Sequence, residues 1–169
     1  MSTRRLFFAL WPDDRQRDRL RDVISPLAKL VEGQHIYRGN WHVTTAFIGE
    51  FSEARVPDLQ ARAAQIAVEP FRLRFDRVEF WPRPKVASLV AAIVPAELQR
   101  LVDAQNSLLA DLGVRVESRT YRPHITVVRR ARPFETQRLA QPAVVEWSSF
   151  ELVESISQPG GATYRPLKQ

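Results

Sequence analysis

The chain has no cysteine. A disulfide framework and a thiolate metal site are therefore both excluded, and a reducing cytosol suits it. Lysine is nearly as scarce. Lys29, Lys85 and Lys168 are the only three, so almost all of the 25 basic side chains are arginines. No histidine has a second histidine four positions on, and none sits among clustered carboxylates. The spacings of a zinc site are missing, and so is the glycine-rich loop that cradles phosphates. No apolar run approaches the roughly 20 residues that span a bilayer. Arg4 and Arg5 precede an apolar stretch in the manner of a signal peptide. That stretch is too short, and Pro12-Asp13-Asp14 ends it without a small-residue cleavage site. We expect a cytoplasmic monomer with no cofactor, no metal and no membrane contact.

What is present is a globular composition, 44% hydrophobic over 169 residues. That length forms one domain over 1–169, with two lobes, and can bury a sizeable core. Lys+Arg 25 against Asp+Glu 19 gives a net charge of +6. Arginine suits bidentate phosphate recognition, which points to an anionic or nucleic-acid partner, while on charge alone a solvated arginine-rich surface reads equally well.

The informative stretch is Tyr121-Arg122-Pro123-His124-Ile125-Thr126-Val127-Val128-Arg129-Arg130. Pro123 turns Arg122 away from helix, and the β-branched residues that follow make a strand. His124 and Thr126 share one face of it. The same His-x-Thr unit stands at His42-Val43-Thr44, also in an extended setting. One such unit is commonly structural. Two in matching strands, about half the chain apart, predict a pseudo-symmetric polar site.

The rest reads as alternating elements. Strands are expected at 5–11, 41–49, 71–78, 86–94 and 114–118, then at the second motif, over 144–156 as one strand or two, and at 163–167. Helices are expected at 12–32, 53–67 and 95–112, the first kinked at Pro26 and stopped by Gly33. The segments 34–40, 79–85 and 132–142 read as loops or short extended pieces. This order predicts an α+β fold of antiparallel sheets with helices packed outside.

Two histidines facing one reacting group can divide acid and base roles. Hydroxyls and guanidinium groups beside them would stabilise charge on a phosphate. That ensemble suits metal-free, in-line displacement at phosphorus.

These motifs resemble the two-histidine phosphoesterases, and among them the bacterial RNA 2′,3′-cyclic phosphodiesterases, also called 2′-5′ RNA ligase-like proteins. The likeness runs from the opening strand Arg5-Leu6-Phe7-Phe8-Ala9-Leu10, through both motifs, to the closing Tyr164-Arg165-Pro166-Leu167. It implies two pseudo-symmetric lobes, each an antiparallel sheet with helices outside, around a central cleft. It also implies hydrolysis of an RNA 2′,3′-cyclic phosphate to a 2′-phosphate, with 2′-5′ ligation as the reverse. By that resemblance His42 is the general acid and His124 the general base. Thr44 and Thr126 hold phosphate oxygens, Arg129 pairs with the phosphate, and Phe8 stacks on the terminal base.

Strict strand alternation puts Arg129 on the wrong face unless the strand ends or bulges, and Arg130 is then the alternative. Phe7 and Phe8 face opposite ways, and the one away from the cleft is core. Arg122 either contacts phosphate or is solvated. His35 reads as a loop residue, and Trp41 and Trp81 as packing, with Trp81 in a loop near the cleft. Thr45 stands where the family usually has an apolar residue, facing away from the cleft. Rival readings are a phosphodiesterase for small cyclic nucleotides or 2′-5′ oligonucleotides, and a non-catalytic RNA-binding module.

Overall fold

The computed structural model describes residues 1–168, apart from the Ala28 side chain. The chain runs β1 (Thr3–Leu10), α1 (Asp14–Ile24), β2 (Gln34–His35), β3 (Val43–Ser52), α2 (Val56–Ala63), β4 (Phe71–Trp81), β5 (Val86–Val90), α3 (Ala96–Asp111), β6 (His124–Arg129), β7 (Gln137–Trp147), β8 (Glu151–Gln158) and β9 (Gly161–Pro166), with short 3-10 turns between some of them. The strands form a four-stranded sheet, ordered β3-β1-β8-β9, and a five-stranded sheet, ordered β2-β6-β5-β4-β7. Their pairings are antiparallel. This is the expected α+β architecture, with one motif strand in each sheet.

The two halves of the chain exchange edges. β8 and β9, from the end of the chain, complete the first sheet. β2, from the first half, closes the second by pairing with β6. Gly33 makes that pairing possible. It lies at φ +150°, and a Cβ there would come within 2.7 Å of the Val128 side chain and 2.8 Å of the Arg129 carbonyl. Glycine alone tolerates both the backbone angle and the approach.

Apolar faces decide what lies outside. Leu6 and Phe8 of β1 pack with Leu59 of α2 and Leu109 of α3. Leu20 and Ile24 of α1 join Leu98 and Leu101 of α3 and the inner residues of β4, β5 and β6 in the larger core. α3 thus takes part in both cores and ties the lobes together. Burying each such side chain contributes roughly 1.5–3 kcal/mol.

Three expectations are corrected. The first helix does not reach residue 32. It begins with a capping box, in which Asp13 accepts from the Gln16 backbone and the Gln16 side chain accepts from the Asp13 backbone. It ends at Ile24, because Pro26 lacks the N–H that would continue it, and a 3-10 turn follows. The segment 114–118 forms no strand. The segment 132–142 is not all loop, since β7 starts at Gln137. β7 is an edge strand, which tolerates Pro142, and its pairing with β4 is irregular between Phe75 and Arg77.

Candidate active site

The two sheets approach each other along β3 and β6, the strands that carry the two motifs. Tyr121 bridges them: its hydroxyl donates to the Thr44 carbonyl at 2.8 Å. Burial pushes its phenol pKa upward, so it stays a neutral donor.

Each motif strand bulges at the same place. Against β1, Ala9 opposes Thr44 while Phe8 opposes Ala46, so Thr45 is the extra residue. Against β5, Ser88 opposes Thr126 while Ala87 opposes Val128, so Val127 is the extra residue. A bulge inserts one residue and reverses the alternation beyond it. Both Val127 and Val128 are therefore buried, and Arg129 returns to the side of His124 and Thr126. Arg129 lies close enough to depress the His42 pKa. Arg130 is exposed, at φ +48°, beyond the end of the strand.

The histidines are held alike. The Asn40 carbonyl, 2.8 Å from His42 Nδ1, can only accept. The Arg122 carbonyl, 2.7 Å from His124 Nδ1, does the same. Each imidazole thus carries its proton on Nδ1 and leaves Nε2 for chemistry. In both cases the acceptor is the backbone two residues upstream.

Their surroundings differ. His42 stands among the rings of Phe7, Trp11 and Tyr164, with centroids 5.0, 5.8 and 5.0 Å away. Desolvation in this box is the main cause that lowers its pKa to about 4. The Asn40 bond opposes the drop, and the charges of His124 and Arg129 add to it. His124 lies against Trp81, 4.3 Å between centroids. Glu79 accepts from Trp81 Nε1 at 3.0 Å and from Arg122 at 2.8 Å. Burial lowers the His124 pKa as well. The Arg122 backbone bond and the Glu79 charge pull it back up, and the Arg122 charge lowers it.

Phe8 corrects a sequence expectation. It is 0% exposed and packs edge-on to Phe150 in the outer core, so no base can reach it. The alternation of β1 makes Phe7 the cleft-side residue, and Phe7 is itself covered by His42 and Tyr164. His35 bonds to the Val31 carbonyl on the edge strand, and Trp41 is core. Thr45 is buried at 3% exposure, and its hydroxyl has no partner among the described residues. Arg122 is an ion-pair partner of Glu79 that lies over Trp81. The motif reading missed Glu79, Trp11 and the bond from Arg129 to Tyr164. Only the aromatic and acidic character of those positions hinted at them.

A bulged pair of His-x-Thr strands, with both imidazoles bonded through Nδ1 and Arg129 near His42, is an arrangement that can divide acid and base roles at a phosphate ester. Residues 10–91 match the family described as LigT like Phosphoesterase. The chain is 32% identical to the RNA 2′,3′-cyclic phosphodiesterase of Aeropyrum pernix, over 88% of this chain and 90% of that protein. It is 31% identical to the Escherichia coli protein of the same name, over 81% of this chain and 78% of that one. The crystal structure of E. coli LigT complexed with 3′-AMP superimposes with a TM-score of 0.86 at 29% identity, covering 99% of this chain and 97% of that one. The chain belongs to the LigT-like two-histidine phosphoesterase family and is a phosphoesterase.

Proposed function

We propose that the chain hydrolyses the 2′,3′-cyclic phosphate at an RNA end to a 2′-phosphate, without a metal. One observation carries this reading. Two imidazoles, each fixed through Nδ1, stand close enough for the charge of His124 to be felt at His42, with Arg129 near His42, at the meeting of two matched strands. The names of the relatives support the substrate class.

In this reading the phosphate lies between the two Nε2 atoms, with Thr44 and Thr126 on its oxygens and Arg129 on its charge. His124 Nε2 takes a proton from water as the new P–O bond forms. His42 Nε2–H gives a proton to O3′ as the P–O3′ bond breaks. The products are a 3′-hydroxyl and a 2′-phosphate, and both histidines have exchanged states. The His42 imidazole, neutral in the free protein near pH 7, gains its proton when the anionic phosphate favours the charged form against the desolvation that depresses it. The same displacement, with a 5′-hydroxyl in place of water, makes a 2′-5′ bond and frees the 3′-hydroxyl. We take residues 1–169 to act as a single bilobal domain, as a monomer, in the cytoplasm.

The test is an oligoribonucleotide ending in a 2′,3′-cyclic phosphate, incubated with the protein in EDTA. The expected product is a monophosphate end that resists a 3′-specific phosphatase. No turnover, with EDTA or with added metal, sinks the proposal.

A further inference from the structure

With Phe8 buried, no residue expected from the sequence meets a base. The structure offers another aromatic. Phe47 follows His42 by five residues, as Arg129 follows His124, and the matching bulge at Thr45 carries β3 past its motif just as the bulge at Val127 carries β6. Phe47 is 45% exposed and pairs with the cleft-side Phe7 across the strands. An isolated exposed aromatic needs no explanation. This one lines a cavity of about 340 Å³ whose walls also include Thr44, His124, Trp81 and Tyr121. The same cavity is lined by Arg119 and Arg122, which pair with Glu117 at 3.8 Å and Glu79 at 2.8 Å.

The ring is prepared for stacking. The Arg5 guanidinium lies over it, 5.0 Å from its centroid. Its edge rests by Gly49, at φ +84°, where a Cβ would lie 3.4 Å from the ring. An aromatic face beside arginines, in a groove open to solvent, is the arrangement that binds single-stranded nucleic acid by stacking and charge.

We propose that Phe47 is the stacking platform for the nucleobase one step upstream of the nucleotide that carries the cyclic phosphate. This rests on the reading of the site as an RNA-end phosphodiesterase. The distance selects that step. The reacting sugar must lie against His42. Phe47 is five residues on, one of them taken up by the bulge, so it lies roughly 13 Å along the strand. That is beyond the reacting sugar and within reach of the next nucleotide. The intervening backbone phosphate would then compete for Arg119 and Arg122, which line the same cavity.

The experiment compares a 2′,3′-cyclic mononucleotide with a pentaribonucleotide ending in the same cyclic nucleotide. Phe47→Ala and Phe47→Trp are assayed on both. Phe47→Ala is expected to raise KM for the pentanucleotide roughly tenfold or more, while the mononucleotide KM moves less than twofold. Phe47→Trp is expected to keep the pentanucleotide KM near that of the unsubstituted protein. An equal rise on both substrates, or no rise on either, overturns the proposal. If the unsubstituted protein turns over neither substrate, the proposed activity fails instead. Binding of a 5′-labelled pentaribonucleotide then decides on Phe47: weaker binding in Phe47→Ala supports the platform, and unchanged binding overturns it.

Discussion

Arg129 donates a hydrogen bond to the phenol oxygen of Tyr164, and that bond passes from the five-stranded sheet to the four-stranded one. The partner is a hydroxyl and not a carboxylate, so it aims the guanidinium without forming an ion pair. The same ring packs edge-on to His42. One aromatic residue thus positions both the charge and the imidazole proposed to meet the phosphate.

Removing the charge should be visible on the imidazole before any substrate is added. The Arg129 cation disfavours protonated His42. In Arg129→Ala the His42 titration midpoint, followed by NMR, should rise from its value of about 4 toward the ordinary histidine range. kcat/KM should fall roughly 100-fold, as for the loss of one group that stabilises developing charge. A midpoint that does not move would show that Arg129 does not face His42.

The pH profile follows from the directions of the two shifts. Productive enzyme has one imidazole protonated and the other neutral. The free protein holds both pKa values below the usual histidine value, His42 at about 4. Singly protonated enzyme therefore peaks on the acid side of about 6.5. kcat/KM should be bell-shaped with its maximum there, and it should decline as pH rises further. Bound phosphate favours the protonated form, so the kcat profile should lie at higher pH. A kcat/KM that stays flat from about pH 5 to 9 contradicts the two-histidine mechanism.

Glu79 should set the basicity of His124. Its charge raises the His124 pKa, and its oxygen holds both Trp81 and Arg122. Glu79→Gln keeps the shape and removes the charge. The His124 midpoint should fall and the pH optimum should move to more acid values. If only thermal stability changes and the profile keeps its position, Glu79 merely supports the fold.

Thr45 is the inexpensive place to gain stability. Its hydroxyl is buried and has no partner among the described residues. Thr45→Val removes an unmet polar group at nearly constant shape. It should add about 1 kcal/mol and raise Tm by about 2–4 °C. A lower Tm would mean that the hydroxyl has a partner, such as a bound water.

Much of the fold was legible because it depends on periodicity. The alternation of 71–78 and the helix after Pro95 stand where their patterns put them, while the apolar strand from Val86 ends at Val90, short of the expected 94. The start of β7 was not legible. Its first half, around Pro142 and the irregular pairing with β4, lacks alternation, and only the neighbouring strand orders it. The true end of α1 is a matter of one missing N–H at Pro26, which outweighed the helical spacing of Leu27, Leu30 and Val31.

For the site, the division runs along the same line. The chain's own order determined that two His-x-Thr units stand in extended segments, that each histidine shares a face with its threonine, and that Phe7 and Phe8 point opposite ways. Those are properties of a single strand, where the side-chain period is two. Which phenylalanine is core was decided by α2 and α3, which cover the face that carries Phe8. That Arg129 and not Arg130 joins the histidines was decided by the pairing of β6 with β5, which leaves Val127 as an extra residue and turns the strand by one. A bulge is a mismatch between two strands, so it exists only once they pair.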